Sequence, residues 1–235
     1  MAAAAFFDVD RTLVVGTALE RCFLQQAWRE GILTPAALWR NVPAGLRALH
    51  LWPGPSSERI RMPPGLSLLT RLRYAFLGGN KAYLRGLALD RARQVAASAF
   101  HSRVLPRLSH RARETLAWHR AAGRHIVLLT GTLDFLGEPL RAYLRADWLL
   151  AAEPEVRQGL LTGRLREPHP YGTFKRDLLQ RFAREHGLDL AASYGYADHH
   201  TDVPFLEALG HPVAVNPDDA LRRIAGQRGW KIEAW

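Results

Sequence analysis

The sequence predicts a doubly wound α/β core interrupted, after its first strand, by an all-helical insertion. Three observations carry this. From residue 105 onward, short apolar runs alternate with stretches of helical spacing, the pattern of strand–helix–strand units. Residues 14–104 show helical spacing nearly throughout. A separate apolar run, residues 3–8, stands in front of that helical block. At 235 residues and 48% hydrophobic composition, the chain can bury one domain with an insertion, or two small domains.

Taken in order, residues 3–8 are small and apolar and end in Phe6-Phe7-Asp8, a buried strand. Residues 17–31 read as a helix, with Leu19, Cys22, Phe23, Gln26 and Ala27 on one face. Thr34-Pro35 supplies a cap and a first-turn proline for the next helix, which Pro43 and Gly45 interrupt. Prolines 53, 55, 63 and 64, with Gly54 and Gly65, make 51–65 a loop or hinge. Helical spacing resumes over 66–77, breaks at Gly78-Gly79 and returns over 81–104. A helix over 107–122 ends at Gly123, and the β-branched run 125–130 reads as a buried parallel strand. Then follow a helix (134–145), a strand (148–152) and a β-hairpin over 155–166 around Gly159 and Gly163. The rest alternates: helix 174–186, strand 193–197, helix 202–209, strand 212–215, helix 218–228 and strand 230–232. The resulting architecture is a parallel-sheet, Rossmann-like core (1–13 and 105–235) with a helical cap (14–104).

The formal net charge is +10, supplied almost wholly by arginines spread from Arg11 to Arg228. Such a balance suits nucleic acid, an anionic membrane surface or an anionic substrate. No dense basic block or nucleic-acid-binding motif is present, so the arginines read as solvated helix faces and no nucleic-acid partner is expected. The single cysteine, Cys22, rules out a disulfide within the chain and any multi-thiolate site. Residues 1–7 lack the basic stretch of a signal peptide, and no apolar run approaches the ~18 residues of a membrane span. A soluble, cytoplasmic protein with no transmembrane segment is expected.

Four short constellations fall at the ends of expected parallel strands, where open α/β folds bind ligands. In Asp8-Val9-Asp10-Arg11-Thr12, two carboxylates two residues apart repel each other unless a cation relieves them. A hard divalent ion such as magnesium does so, leaving one carboxylate to attack phosphorus and the other to exchange protons. A turn with capping aspartates is the competing reading. In Leu128-Leu129-Thr130-Gly131-Thr132, a hydroxyl and bare amides lead from a strand toward a helix, which suits a phosphate; a simple cap by Thr132 competes. Lys175, near a helix start, opposes the helix dipole unless an anion is close, and could neutralise both a phosphate and a carboxylate. Lysine is scarce here (Lys81, Lys175 and Lys231), so its retention is informative. In Tyr196-Ala197-Asp198-His199-His200-Thr201-Asp202, Asp198 can complete a metal shell and Asp202 can support it from behind. Oxygen donors favour magnesium over zinc, so His199 and His200 read as loop residues.

Together the four pieces resemble the four motifs of the haloacid dehalogenase (HAD) superfamily. Their order, spacing and the helical insertion resemble its phosphoserine-phosphatase-like subfamily IB. The resemblance extends to Glu153-Pro154-Glu155 with the hairpin after it, and to the run from Gly210 to Pro217. It implies Asp8 as nucleophile and magnesium ligand, and Asp10 as general acid/base offering its backbone carbonyl to Mg2+. It also implies Thr130 and Gly131 as phosphate holders, Lys175 as charge stabiliser, Asp198 as metal ligand and Asp202 as its support. Arg11 stands where many members have glycine, His199 where this branch usually has serine, and Thr130-Gly131-Thr132 replaces a common Ser-Ala-Ser. The branch's phosphoserine phosphatases read the amino acid with a cap glutamate and arginine; Glu20 and cap arginines exist here without a secure match.

A magnesium-dependent phosphomonoesterase with a phospho-aspartyl intermediate is therefore expected, acting on a phosphorylated small molecule or a lipid-like phosphate. Trp28, Trp39, Trp52, Tyr74, Phe76 and Tyr83 raise the lipid-phosphate alternative, against which stands simple packing of the cap. Other readings are a phosphoserine phosphatase, a phosphotransferase, a dehalogenase, and a non-catalytic module holding an anionic surface. Asp10 counts against the dehalogenase, whose leaving group needs no acid. The 51–65 hinge, if mobile, would gate water.

Overall fold

A computed structural model describes residues 2–39 and 81–235. Six parallel strands form one sheet, in the order β3 (Trp148–Ala152), β2 (His125–Leu133), β1 (Ala4–Phe7), β6 (Tyr194–Ala197), β7 (His211–Val215) and β8 (Lys231–Glu233). The chain starts at its middle with β1 (Ala4–Phe7), whose four residues are all buried. Helices α1 (Leu19–Arg29), α2 (Pro35–Trp39) and α3 (Leu89–Ala99) lie between β1 and the next strand, with α4 (His110–Ala121) leading into it. Then come β2 (His125–Leu133), α5 (Asp134–Leu144) and β3 (Trp148–Ala152) on one side of β1. The antiparallel pair β4 (Pro154–Arg157) and β5 (Leu160–Leu165) forms the expected hairpin, as a separate two-stranded sheet. After α6 (Thr173–Glu185), the chain crosses to the other side of β1. It adds β6 (Tyr194–Ala197), α7 (Val203–Leu206), β7 (His211–Val215), α8 (Asp219–Arg228) and β8 (Lys231–Glu233).

Strand alternation sorts the core onto the two faces of the sheet. Ala5 and Phe7 point into one cluster with Leu19, Cys22 and Phe23 of α1, Val95 of α3, Leu116 of α4 and Leu140 of α5. Ala4 and Phe6 point into the other, with Leu179 of α6, Phe205 of α7 and Leu221 of α8. A sheet covered on both faces explains why its central strands read as continuous apolar runs. Cys22 is buried as a small apolar residue. Among the described residues, no helix is long and apolar enough to cross a membrane.

Three segments differ from expectation. The continuous helix over 81–104 is broken: a single 3-10 turn (Ala82–Leu84) and a left-handed Gly86 precede α3. The cause is lateral pairing. Gly86 N donates to Leu161 O (2.8 Å), Leu161 N to Leu87 O (2.9 Å) and Leu89 N to Gly159 O (2.9 Å), so this backbone serves the hairpin instead of a helix. After α3, a π-helical turn (Phe100–Val104) and a 3-10 turn (Leu105–Arg107) carry the chain past Pro106, which has no N–H to give. Second, β2 runs through Thr130-Gly131-Thr132 to Leu133, with a register irregularity against β3 between Leu129 and Leu133. Third, the helix expected over 202–209 contracts to a 3-10 turn (His200–Asp202) and the four-residue α7. The expectations for 51–65, 66–77 and Gly78-Gly79, with Pro43 and Gly45, lie outside the described residues.

Candidate active site

The carboxyl ends of β1, β2 and β6 converge at a cavity of about 250 Å³. Asp8 directly follows β1, held there by its own N–H donating to Tyr196 O of β6 (2.9 Å). Asp198 directly follows β6, and its carbonyl accepts from Asp218 N (2.9 Å). Thr12 bridges them: its hydroxyl lies 3.2 Å from Asp8 Oδ2 and 3.4 Å from Asp198 Oδ1. Lys175, in the first turn of α6, is buried, with Nζ 2.6 Å from Asp8 Oδ1 and 2.9 Å from Asp202 Oδ1. A lysine at a helix start is thus stabilised by two carboxylates, as its unfavourable place on the dipole demanded.

Oxygens of Asp8, Asp198 and Asp202 lie within 4.8 Å of one another. All three residues are buried, and Lys175 supplies a single positive charge among them. Burial, the largest cause, raises the Asp8 carboxyl above its ordinary range, against the pull of Lys175. Asp198 is raised by burial first, then by Asp8 and Asp202. Burial would lower Lys175, but Asp202 and Asp8 outweigh it and hold the ammonium above the usual lysine range. An excess of buried negative charge built wholly from carboxylate oxygens suits a hard divalent cation such as magnesium. Asp202 stands at this oxygen cluster while also holding Lys175.

The side chain of Asp10 turns from the cluster to α1, where Oδ1 accepts from Leu19 N (2.8 Å) and supplies the cap that Ala18 lacks. Burial, then the charge of Asp8, pushes its carboxyl up to about 7, so a protonated form is accessible near neutral pH. Gly131 and Thr132 line the cavity. Thr130 lies behind them, fully buried, its hydroxyl oxygen accepting from Thr132 N (3.1 Å). Thr132 does not cap α5, whose preceding residue, Leu133, makes no side-chain cap bond. A side chain at Gly131 would meet the His169 ring at 2.5 Å, so the backbone there must be bare.

His199 and His200 follow β6 in a loop and close on Asp218, which lies 2.6 Å from His200 Nδ1 and 3.4 Å from His199 Nε2. Asp218 in turn caps α8 through Leu221 N (2.7 Å) and braces Asp198 through its N–H. His199 also borders the cavity. Of the aromatic residues named for a lipid substrate, Tyr83 is buried while Trp28 and Trp39 are exposed. Trp52, Tyr74 and Phe76 lie outside the described residues.

Sequence reasoning passed over His169, left Thr132 between a phosphate cradle and a helix cap, and named Glu20, Lys81 and Tyr83 separately without joining them into one group. Glu20, Thr132 and His169 line the cavity, and Lys81 Nζ lies 2.7 Å from both oxygens of Glu20. The scarcity of lysine, which drew notice to Lys175, applied equally to Lys81.

Residues 5–207 match the haloacid dehalogenase-like hydrolase family. A Streptomyces azureus protein named for inhibition of morphological differentiation is 32% identical, over 97% of this chain and 77% of its own length. A phosphoserine phosphatase of Mycobacterium tuberculosis is 27% identical, over 99% of this chain and 70% of its own. The crystal structure of a Bordetella pertussis protein of unknown function aligns with a TM-score of 0.74 at 26% identity, covering 99% of this chain and 98% of that one. With the motif residues gathered at three strand ends and the match spanning the sheet from β1 to α7, the chain belongs to the haloacid dehalogenase-like hydrolase family.

Proposed function

We propose that the protein is a magnesium-dependent phosphomonoesterase acting on a small or amphipathic organic phosphate through a phospho-aspartyl intermediate on Asp8. The division into a core of 1–13 and 105–235 and a cap of 14–104 is part of this reading. The observation that carries it is the buried Lys175 ammonium held between Asp8 and Asp202, beside Asp198. The named activity of the Mycobacterium tuberculosis relative supports the same chemistry.

Asp8, Asp198 and Asp202 offer the oxygens that would hold magnesium, with the Asp10 carbonyl completing the set. When bound, the ion supplies charge neutralisation for the phosphoryl group and its attacking carboxylate. Lys175 keeps Asp8 ionised and aimed, and shares the charge of the incoming phosphate. The Gly131 amide holds the phosphoryl oxygens, and Thr130, behind the cavity wall, braces that backbone by accepting from Thr132 N. Asp8 attacks phosphorus in line while protonated Asp10 gives its proton to the departing alkoxide. Water then attacks the phospho-aspartate, Asp10 takes that water's proton, and phosphate leaves with Asp8 restored. The cap bond from Leu19 N fixes the Asp10 carboxyl for both transfers.

The test is hydrolysis of a generic aryl phosphate with magnesium present. The wild type should turn it over, and Asp8→Asn should lose at least about a thousandfold, as loss of a covalent nucleophile does. Equal rates in the two proteins would sink the mechanism.

A further inference from the structure

The wall of the cavity that does not hold the carboxylate cluster has its own chemistry. Glu20 reaches this wall from the first turn of α1. Both its oxygens lie 2.7 Å from Lys81 Nζ, and the Tyr83 hydroxyl donates to Oε1. Lys81 is fully buried, so its ammonium stays on Glu20 and does not reach the cavity. His169 completes the wall near Gly131. Its ring is held neutral, since burial first, then Lys81 and Lys175, push its pKa well below the usual histidine value. Thr132 adds a buried hydroxyl whose oxygen has no hydrogen-bond partner among the described residues, and Thr132 lines the same cavity.

Among the described residues, this wall is rich in hydrogen-bonding atoms and its one carboxylate, Glu20, already carries an ammonium. A carboxylate whose ammonium is already in place gains little from a second one, and the newcomer would lose its hydration and face Lys81 at short range. A hydroxyl behaves differently, because it can donate to Glu20 and exchange a hydrogen bond with Thr132 while carrying no charge into the site. On the phosphatase reading above, we propose that Lys81 acts as a built-in substitute for a substrate cation. The Glu20–Lys81 wall then selects monophosphates of neutral, hydroxyl-bearing alcohols and discriminates against esters with an ammonium beside the phosphate.

Two nearly isosteric probes test this. In 2-hydroxyethyl phosphate and 2-aminoethyl phosphate, a hydroxyl replaces an ammonium at the same distance from the ester. The kcat/KM ratio of the pair is measured within each preparation, so losses common to both probes cancel. Each probe is also run as a competitor of the aryl phosphate, which gives an affinity ratio where turnover is slow. The wild type should favour the hydroxyethyl ester at least tenfold. Lys81→Met vacates the Glu20 carboxylate and should shift the ratio at least tenfold toward the aminoethyl ester. Adding Glu20→Gln to Lys81→Met should return the ratio toward the wild-type value. A wild-type preference below tenfold, or a Lys81→Met ratio unchanged from wild type, overturns the proposal. Should Lys81→Met fail to fold, the wild-type ratio alone decides. Asp8-dependent hydrolysis of the aryl phosphate with the wrong ratio refutes the leaving-group selection alone. Absence of Asp8-dependent hydrolysis refutes the phosphatase reading itself.

Discussion

Arg11 occupies the left-handed region, at φ +65°, in the middle of the loop that carries Asp8 and Asp10. A side chain in that conformation costs about 1–2 kcal/mol, and glycine avoids the cost. Arg11 also lines the cavity, and its charge pulls against the raised Asp198 carboxyl. The retained arginine therefore contributes charge at a conformational cost. Arg11→Gly should unfold no more easily than wild type, gaining up to about 1 kcal/mol in denaturant titrations. The same variant should show a several-fold higher KM for the aryl phosphate; an unchanged KM would deny Arg11 any part in anion capture. At this scale, legibility followed chain distance. Asp8 and Lys175 could be singled out because each sits in a short motif next to a strand or helix end. Glu20 and Lys81 are 61 residues apart, joined only by folding, and no local spacing points from one to the other. A cap by Thr132 competes with the phosphate reading in sequence because the strand before it is expected to end at residue 130; β2 continues past it, which frees its hydroxyl from helix capping.

The loop after β6 and the start of α8 act as one element, with Asp218 as their joint. Its Oδ1 caps α8, its Oδ2 takes His200, and its N–H holds the Asp198 carbonyl. Asp218→Ala should cost about 1–2 kcal/mol in urea unfolding, the range for a lost N-cap. It should also slow aryl phosphate hydrolysis several-fold by loosening the loop that carries Asp198 and Asp202. Asp218→Ser keeps a capping oxygen and should recover the stability without the rate. If the serine variant recovered both, the histidine contacts would have no part in placing Asp198. Elements were legible where one face of the sheet or one helix stripe set the pattern, as for β1, α1 and α6. Where backbone pairing across the chain set the conformation, as at Gly86 to Leu89 against the hairpin, apolar spacing carried no record of it.

Across the whole molecule, the parallel order and the double layer followed from alternating strands and helices, but the polar contents of the core did not. His119 is fully buried between α4 and the sheet, 2.8 Å from the Tyr196 hydroxyl and packed on Phe7, Trp118 and Tyr194. Burial, then Arg124, lowers its pKa from 6.5 to about 4. In the unfolded chain it titrates near the ordinary value, so between these limits the unfolded state binds more protons. His119 therefore contributes stability that is fully present above about pH 6.5 and is lost as pH falls toward about 4. His119→Gln retains a partner for Tyr196 without titrating, and its denaturant midpoint should fall less steeply from pH 7 to 4.5. Parallel pH profiles for the two proteins would place the acid sensitivity elsewhere.

The position of β1 has a consequence for how the chain is made. Its Ala5 pairs with Ile126 on one side and Tyr194 on the other, so the central strand leaves the ribosome long before either neighbour exists. Until then its four apolar residues have no ladder partners, and such distant pairings close slowly. During that interval β1 is an aggregation-prone, unprotected edge that chaperones can hold. The segment bearing Asp8 is synthesised early and locked into the sheet late, so a truncated nascent chain holds the first motif without the scaffold that aligns it.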